Sequence, residues 1–486
     1  MTTSSQTPQQ DFASALKARD LHQINQSGKR LLELALPLGK TWKSVASVFQ
    51  QNGEHTLAIE ALEKWAEQSG RTPEILFEIA SFNGRAGRHA QAEAALAEIP
   101  HANFDPVGIA YLRGTLATNS GQKDVAMGYL REAVTRDPSS GQSWLALAML
   151  GHISDRDADA LFAAAHHLVS ANDLETAAYQ YAKGRLLHQR SAYDEAFEAY
   201  SAGAAIMDRT HKFDWRASAQ RASNALDGWT PQTISQISQQ VDTTSRARPI
   251  FVTGLPRSGT TLCEQILVSH SEVEDGAELG LFRLLQQVIG EPTFHSLSAY
   301  LDKGNSADDL RSYYNHLLSE RFPGTGLIVD KTVLASRYLG LIASLFPEAP
   351  IFWLRRDHLD NAWSAFSTFF IRGIPFSWNL TSLGQFMRTE DRLLAAWQER
   401  LGDRLRIVDY TALVSSSEQE IPALVSHANL HFEEQQAKPH LAERQVSTAS
   451  VMQVREPINT KGLGSSKPYH KHLRPFIEAY ERGPAD

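Results

Sequence analysis

Pro249-Ile-Phe-Val-Thr-Gly254-Leu-Pro-Arg257-Ser-Gly-Thr-Thr261-Leu-Cys-Glu-Gln-Ile-Leu-Val-Ser-His270 passes from a short β-rich run, through a glycine-bearing turn, into a helix-like stretch. A turn in that position wraps an anion, because backbone N–H groups and the positive end of the following helix point the same way. The glycine spacing and Thr261 match the nucleotide-triphosphatase loop GxxxxGK[ST], but Thr260 stands where that loop has its lysine. A kinase or ATPase would lose its grip on the β- and γ-phosphates, whereas Arg257 inside the loop still offers a two-pronged hold on a single 5′-phosphate.

Three more short β-rich runs follow: Leu-Ile-Val-Asp from Leu327, Pro-Ile-Phe-Trp-Leu from Pro350 and Arg-Ile-Val-Asp-Tyr from Arg406, each with a helical-looking stretch behind it. Strands alternating with helices predict a parallel sheet covered on both faces, with ligands at the strands' carboxyl ends.

The region before the linker reads differently. Residues 42–228 are rich in alanine and leucine, and three residue types recur every 34 positions: Gly53, Gly87 and Gly121; Ala58, Ala92 and Ala126; Leu62, Leu96 and Leu130. This is the period of a tetratricopeptide helix pair, with glycine at the turn and alanine where two helices approach closely. Thr72-Pro73, Asp105-Pro106 and Asp137-Pro138 mark where one helix stops and the next opens. Ala160 keeps the phase and Ala196 falls two residues late, giving about five units. The expected organisation is therefore an N-terminal segment 1–41, a tetratricopeptide-repeat solenoid 42–228, a short helix and linker 229–248, and an α/β P-loop-type domain 249–486. Stacked repeats present a concave surface for a peptide or protein, and the same architecture serves equally as a spacer or a homodimer contact.

Length and composition agree with this division. A chain of 486 residues exceeds one ordinary core, and 42% hydrophobic with 21% charged residues is a globular composition. The formal charge of −8 supplies no basic field for nucleic acid or an acidic membrane, so an anionic ligand must be held by local donors. One cysteine, Cys263, allows no intramolecular disulfide and no multi-cysteine zinc site. The polar N-terminus and the lack of an apolar stretch long enough to span a bilayer lead to an expectation of a cytoplasmic protein without anchor or export signal.

The loop Pro-Arg-Ser-Gly-Thr-Thr resembles the 5′-phosphosulfate loop of the sulfotransferase superfamily, in particular tyrosylprotein sulfotransferases and bacterial tetratricopeptide-repeat sulfotransferases. The resemblance covers about Pro249 to Pro475. It implies 3′-phosphoadenosine-5′-phosphosulfate (PAPS) as donor, no metal, and contacts from Arg257, Ser258, Gly259, Thr260 and Thr261 to its 5′ side. Arg355-Arg356-Asp357 at a strand end, with Ser364 eight residues beyond Arg356, looks like the family's 3′-phosphate site. A guanidinium at a strand end and a hydroxyl early in the next helix suit one dianionic phosphate, a group that a nucleoside triphosphate lacks.

Sulfuryl transfer needs a base for the acceptor hydroxyl and positive charge on the departing phosphate oxygen. In tyrosylprotein sulfotransferases a Gly-Glu-Glu segment after the phosphate-loop helix carries the proposed base. Here Gly276 and Glu278 match, Ala277 replaces the first glutamate, and Glu278 is the candidate base. Asp330-Lys331 resembles the family's Asp-Lys pair, which implies that Lys331 stabilises the leaving oxygen, although Val333 stands where the family has proline. In the tail segment Val446 to Asn459, Ser450 is similar to a donor-binding serine. Gly464-Ser-Ser-Lys467-Pro-Tyr469 replaces a Gly-Arg-Trp stretch and makes Lys467 a candidate donor contact. The expected acceptor is a hydroxyl, with protein or peptide tyrosine first in line. The alternatives are a P-loop phosphoryl-transfer enzyme and a repeat scaffold with a non-catalytic nucleotide-binding domain.

Overall fold

The computed structural model describes residues 7–100, 104–243, 248–324, 326–371, 373–442, 444–446, 448 and 450–482. Its centre is a parallel sheet of β1 (Arg248–Gly254), β2 (Val273–Ala277), β3 (Leu327–Asp330), β4 (Ile351–Arg355) and β5 (Leu405–Asp409), in the order β2-β3-β1-β4-β5. Side chains alternate across it. Ile250 and Val252, Leu327 and Val329, and Phe352 and Leu354 enter one buried cluster with Cys263, Ile266 and Leu267 of the helix Thr260–Val268.

The register sets the strand ends in two steps, β2 and β3 ending level with Phe251 of β1, and β1, β4 and β5 running about three residues further. Gly254 pairs with Leu354, Ala277 with Asp330, and Arg355 with Asp409. The residues just past the strands (the loop after Gly254, Glu278, Lys331, Arg356 and Tyr410) therefore emerge along one edge, with the order reversing about β1. Four of these strands follow the β-rich runs in the sequence, but β2 does not. Val-Glu-Asp-Gly-Ala has little β propensity and pairs on one side only, with β3, through a register shift between Val273 and Asp275.

The N-terminal 230 or so residues are helical throughout their described length. Gly53, Gly87 and Gly121 hold φ of 80°, 76° and 77°, the left-handed turn their spacing implied, and Ser191 takes φ 59° at the matching place in a later pair. Each following helix begins two residues on, at His55, His89, Lys123 and Tyr193, and its fourth residue is a buried alanine: Ala58, Ala92, Ala126 and Ala196. One pair departs from the expected phase. Ala160 is exposed, and the buried alanine is Ala158, two residues earlier. There Ser154 caps the helix Asp155–Ala163 by accepting from Asp157 N–H, so the helix starts early; the 3-10 stretch Ala164–Ser170 then delays Ala196.

Packing divides the chain into two units: Met1–Leu112 with Leu281–Glu291 and Ala299–Gly324, and Arg113–Gly280 with Pro292–Ser298 and Thr325–Asp486. The division falls inside the helical array, so the later array helices belong to the same unit as the sheet. The segment 229–248 contains the helix Pro231–Ser238, and its end, 244–247, lies outside the described residues. Among the described residues no helix is long and apolar enough to cross a membrane.

Candidate active site

The loop after β1 has an unusual backbone. Arg257 holds φ 69° and Gly259 φ 104°. A Cβ on Gly259 would lie 2.5 Å from the Tyr410 ring, so only glycine fits. A non-glycine residue in the left-handed region costs free energy and persists only where its surroundings fix it. Here the Arg257 side chain does so, donating from Nε to Ser364 Oγ (3.1 Å), from Nη1 to Ser450 Oγ and from Nη2 to Gln453 Oε1 (2.8 Å). Ser258 turns its hydroxyl back onto the Leu255 carbonyl at 2.7 Å. Thr260 and Thr261 open the helix, and the next N–H groups, of Leu262 and Cys263, donate to the Gly259 carbonyl at 3.0 and 3.1 Å.

Arg356 closes on the same loop from the end of β4. It donates from Nη1 to the Arg257 carbonyl (3.1 Å), and from Nη2 to the Gly462 carbonyl and Ser465 Oγ (3.2 Å); its guanidinium lies 5.0 Å from the Tyr410 ring centroid. Arg355 turns outward and pairs with Asp391 at 3.4 Å. The two loops that the sequence marked for one nucleotide thus meet at a single backbone carbonyl. Neither Arg257 nor Arg356 forms an ion pair among the described residues: every acceptor they use is neutral. Burial, then the neighbouring Arg356 charge, brings the Arg257 guanidinium down to about 10, and burial likewise lowers Arg356. Two cations share a desolvated place that an anion would relieve.

A second cluster sits at the ends of β2 and β3. Lys331 is fully buried, and its Nζ lies 2.5 Å from Glu278 Oε1, 3.4 Å from Glu264 Oε2 and 3.4 Å from Thr261 Oγ1. Glu278 keeps 42% of its side chain exposed, while Glu264 keeps 1%. Glu264 also accepts from Arg444 Nη2 at 2.7 Å, and Arg444 Nη1 reaches Asp275 Oδ1 at 2.8 Å and the Gly276 carbonyl at 3.2 Å. Thr261 joins the clusters, since its hydroxyl is 3.4 Å from both Lys331 Nζ and Thr448 Oγ1.

The candidates therefore separate. Arg257, Ser364, Ser450 and Arg356 are linked through hydrogen bonds, and Glu278 and Lys331, from the ends of β2 and β3, cluster with Thr261 of the loop helix. Lys467 is exposed on a 3-10 turn and makes no side-chain hydrogen bond to the other candidates. Its neighbours instead reach the site. Asp360 accepts from Gly464 N–H (2.6 Å), Ser466 N–H (2.9 Å) and Ser466 Oγ (2.8 Å), and Ser465 reaches Arg356. Burial alone would raise the Asp360 carboxyl, but the Ser466 and Gly464 donors and Arg356 hold it below the usual range. Phe366, Phe376 and Trp378 are core residues. Buried Cys263 has its thiol pushed up by burial, as expected of a packing residue.

Sequence reasoning missed Glu264, Arg444, Gln453, Tyr410 and Asp360. Glu264 did carry a signal, as a carboxylate in an otherwise apolar helix next to a predicted phosphate loop. Arg444 carried none, being 180 residues away in irregular chain.

Residues 249–434 match the model described as "Sulfotransferase family". Among curated proteins, an uncharacterized protein of Aquifex aeolicus (strain VF5) is 28% identical over 310 residues, covering 62% of this chain and 40% of that protein. The chain thus spans well under half of that relative. A putative protein-tyrosine sulfotransferase of Caenorhabditis briggsae is 25% identical over 44% of this chain and 79% of its own length, and protein-tyrosine sulfotransferase 1 of Danio rerio is 25% identical over 44% and 64%. Solved structures that align include the sulfotransferase domain of the Synechococcus PCC 7002 olefin synthase (20% identity, 50% of this chain and 98% of that one, TM-score 0.35) and sulfotransferase STF9 of Mycobacterium avium (12%, 66% and 95%, TM-score 0.32). The segment that matches the sulfotransferase family model, 249–434, holds the sheet and both arginine-bearing loops.

Proposed function

We propose that the protein transfers a sulfuryl group from PAPS to a hydroxyl acceptor. The observation that carries this reading is the meeting of Arg257 and Arg356, neither in an ion pair with a described carboxylate, at the ends of adjacent strands β1 and β4. The 5′-phosphosulfate lies against the loop 257–261, and the 3′-phosphate takes Arg356 and Ser364. Ser450 supports Arg257 from the tail.

Glu278 removes the proton of the acceptor hydroxyl, and the freed oxygen forms the new bond to sulfur. The bond from sulfur to the 5′-phosphate oxygen breaks, and its electron pair stays on the phosphate, where the Lys331 ammonium meets the growing charge. The products are a sulfate ester, 3′-phosphoadenosine 5′-phosphate and protonated Glu278. The Glu278–Lys331 contact at 2.5 Å holds both groups beside the loop helix, and it opens as acceptor and donor arrive. No metal is required, since the leaving phosphate is met by lysine and arginine.

The acceptor we infer is a protein or peptide tyrosine, presented along tetratricopeptide-type repeats. It is supported by the two relatives named protein-tyrosine sulfotransferase and by the repeated turn and alanine positions.

The test is incubation with PAPS labelled on sulfur, using tyrosine peptides, small phenols and sugars as acceptors, alongside calorimetric binding of 3′-phosphoadenosine 5′-phosphate. Label appears in at least one acceptor class, without magnesium. Binding without transfer to any class would overturn the enzyme reading, and magnesium-dependent transfer from ATP would replace it.

A further inference from the structure

Lys331 has two carboxylate neighbours of opposite character. Glu278 is half-open to solvent and, on the reading above, changes its charge during each turnover. Glu264 is sealed, with 1% of its side chain exposed, and its other oxygen is held by Arg444 at 2.7 Å. When Glu278 accepts the acceptor's proton, a fully buried ammonium would lose its nearest counter-charge just as the leaving oxygen requires it. Glu264 is the carboxylate that stays.

Arg444 links this carboxylate to the strand that carries the base. Its Nη1 holds Asp275 at 2.8 Å and the Gly276 carbonyl at 3.2 Å, two residues before Glu278, while Nη2 holds Glu264 on the loop helix. The loop helix and the end of β2 are thus tied together by one planar guanidinium, whose fork fixes distance and direction together.

We infer that Glu264 is a positioning residue: it is the counter-charge that holds the Lys331 ammonium aimed at Thr261, with Arg444 locking it against the end of β2. This rests on the sulfotransferase reading of the site.

The decisive experiment is a double-mutant cycle on the full chain, combining Glu264→Gln with Lys331→Ala and using labelled PAPS with whichever acceptor class the wild type sulfates. Glu264→Gln keeps the shape, removes the charge and keeps an amide oxygen for Arg444. Its kcat falls roughly ten- to a hundredfold, while KM for PAPS and the affinity for 3′-phosphoadenosine 5′-phosphate stay within about twofold. In the Lys331→Ala background the same change alters kcat by less than about twofold, because the group it acts through is gone. Equal losses of kcat in both backgrounds, or an undiminished kcat in the single variant, overturn the inference while leaving the sulfotransferase reading intact. An inactive wild type sinks that reading, and this inference with it. If Glu264→Gln alone does not fold, the charge-balanced pair Glu264→Gln/Arg444→Gln takes its place in the cycle with the same expected outcomes.

Discussion

The two cation clusters beside the helix Thr260–Val268 are built on opposite principles. Lys331 and Arg444 are matched by Glu264, Glu278 and Asp275 at hydrogen-bonding or ion-pair distance. Arg257 and Arg356 meet serines, a glutamine and backbone carbonyls, all without charge. The matched cluster suits proton transfer, in which charge is exchanged among groups already in place. The unmatched one suits a ligand that brings its own negative charge. On the proposed function, the difference would put chemistry at the ends of β2 and β3 and affinity at the ends of β1 and β4.

The sharpest way to break this contrast is to mutate each cluster and ask which constant moves. Glu278→Gln lowers kcat about a thousandfold and leaves binding of 3′-phosphoadenosine 5′-phosphate nearly unchanged. A comparable loss of ligand affinity would erase the distinction. Arg257→Ala does the reverse, weakening that ligand about a hundredfold by calorimetry. Arg257 also supports a thermal test. Its folded pKa, about 10, lies below the ordinary value because of burial and then Arg356. Such a cation costs folding stability at every pH below about 10, and the cost fades only as pH rises past that point. At neutral pH, saturating 3′-phosphoadenosine 5′-phosphate therefore raises Tm by several degrees, whereas Arg257→Met shows little shift with the ligand. The smallest effect is expected of Ser465→Ala, which removes one neutral acceptor from Arg356: ligand affinity falls a few-fold, about 1 kcal/mol, and kcat holds.

The unmatched cluster was the more legible in sequence. Arg257 and Arg356 follow strongly apolar strands, where period and turn chemistry announce both the strand and its end. The matched cluster was half hidden. Glu278 follows β2, whose Val-Glu-Asp-Gly-Ala reads as solvated loop and becomes a strand only by pairing with β3. Arg444, Thr448 and Gln453 arrive from irregular chain, and no local pattern encodes a partner 180 or more residues away. The helical array shows the same limit in small: period located Ala58, Ala92 and Ala126, but the Ser154 cap moved the buried position to Ala158.

The end of the helix Pro106–Asn119 is committed to more than its own repeat. The Asn119 carbonyl receives Val446 N–H (3.0 Å) and Arg455 Nη2 (2.9 Å), and a Cβ on nearby Gly121 would come within 2.5 Å of the Arg455 guanidinium. The stretch from Arg444 to Arg455, which supplies both clusters, is thus moored on one helical turn. Exchanging these helices for another array is therefore not a neutral domain swap. A graft that failed to restore that carbonyl and that glycine would unseat the tail and lower turnover without touching a catalytic group.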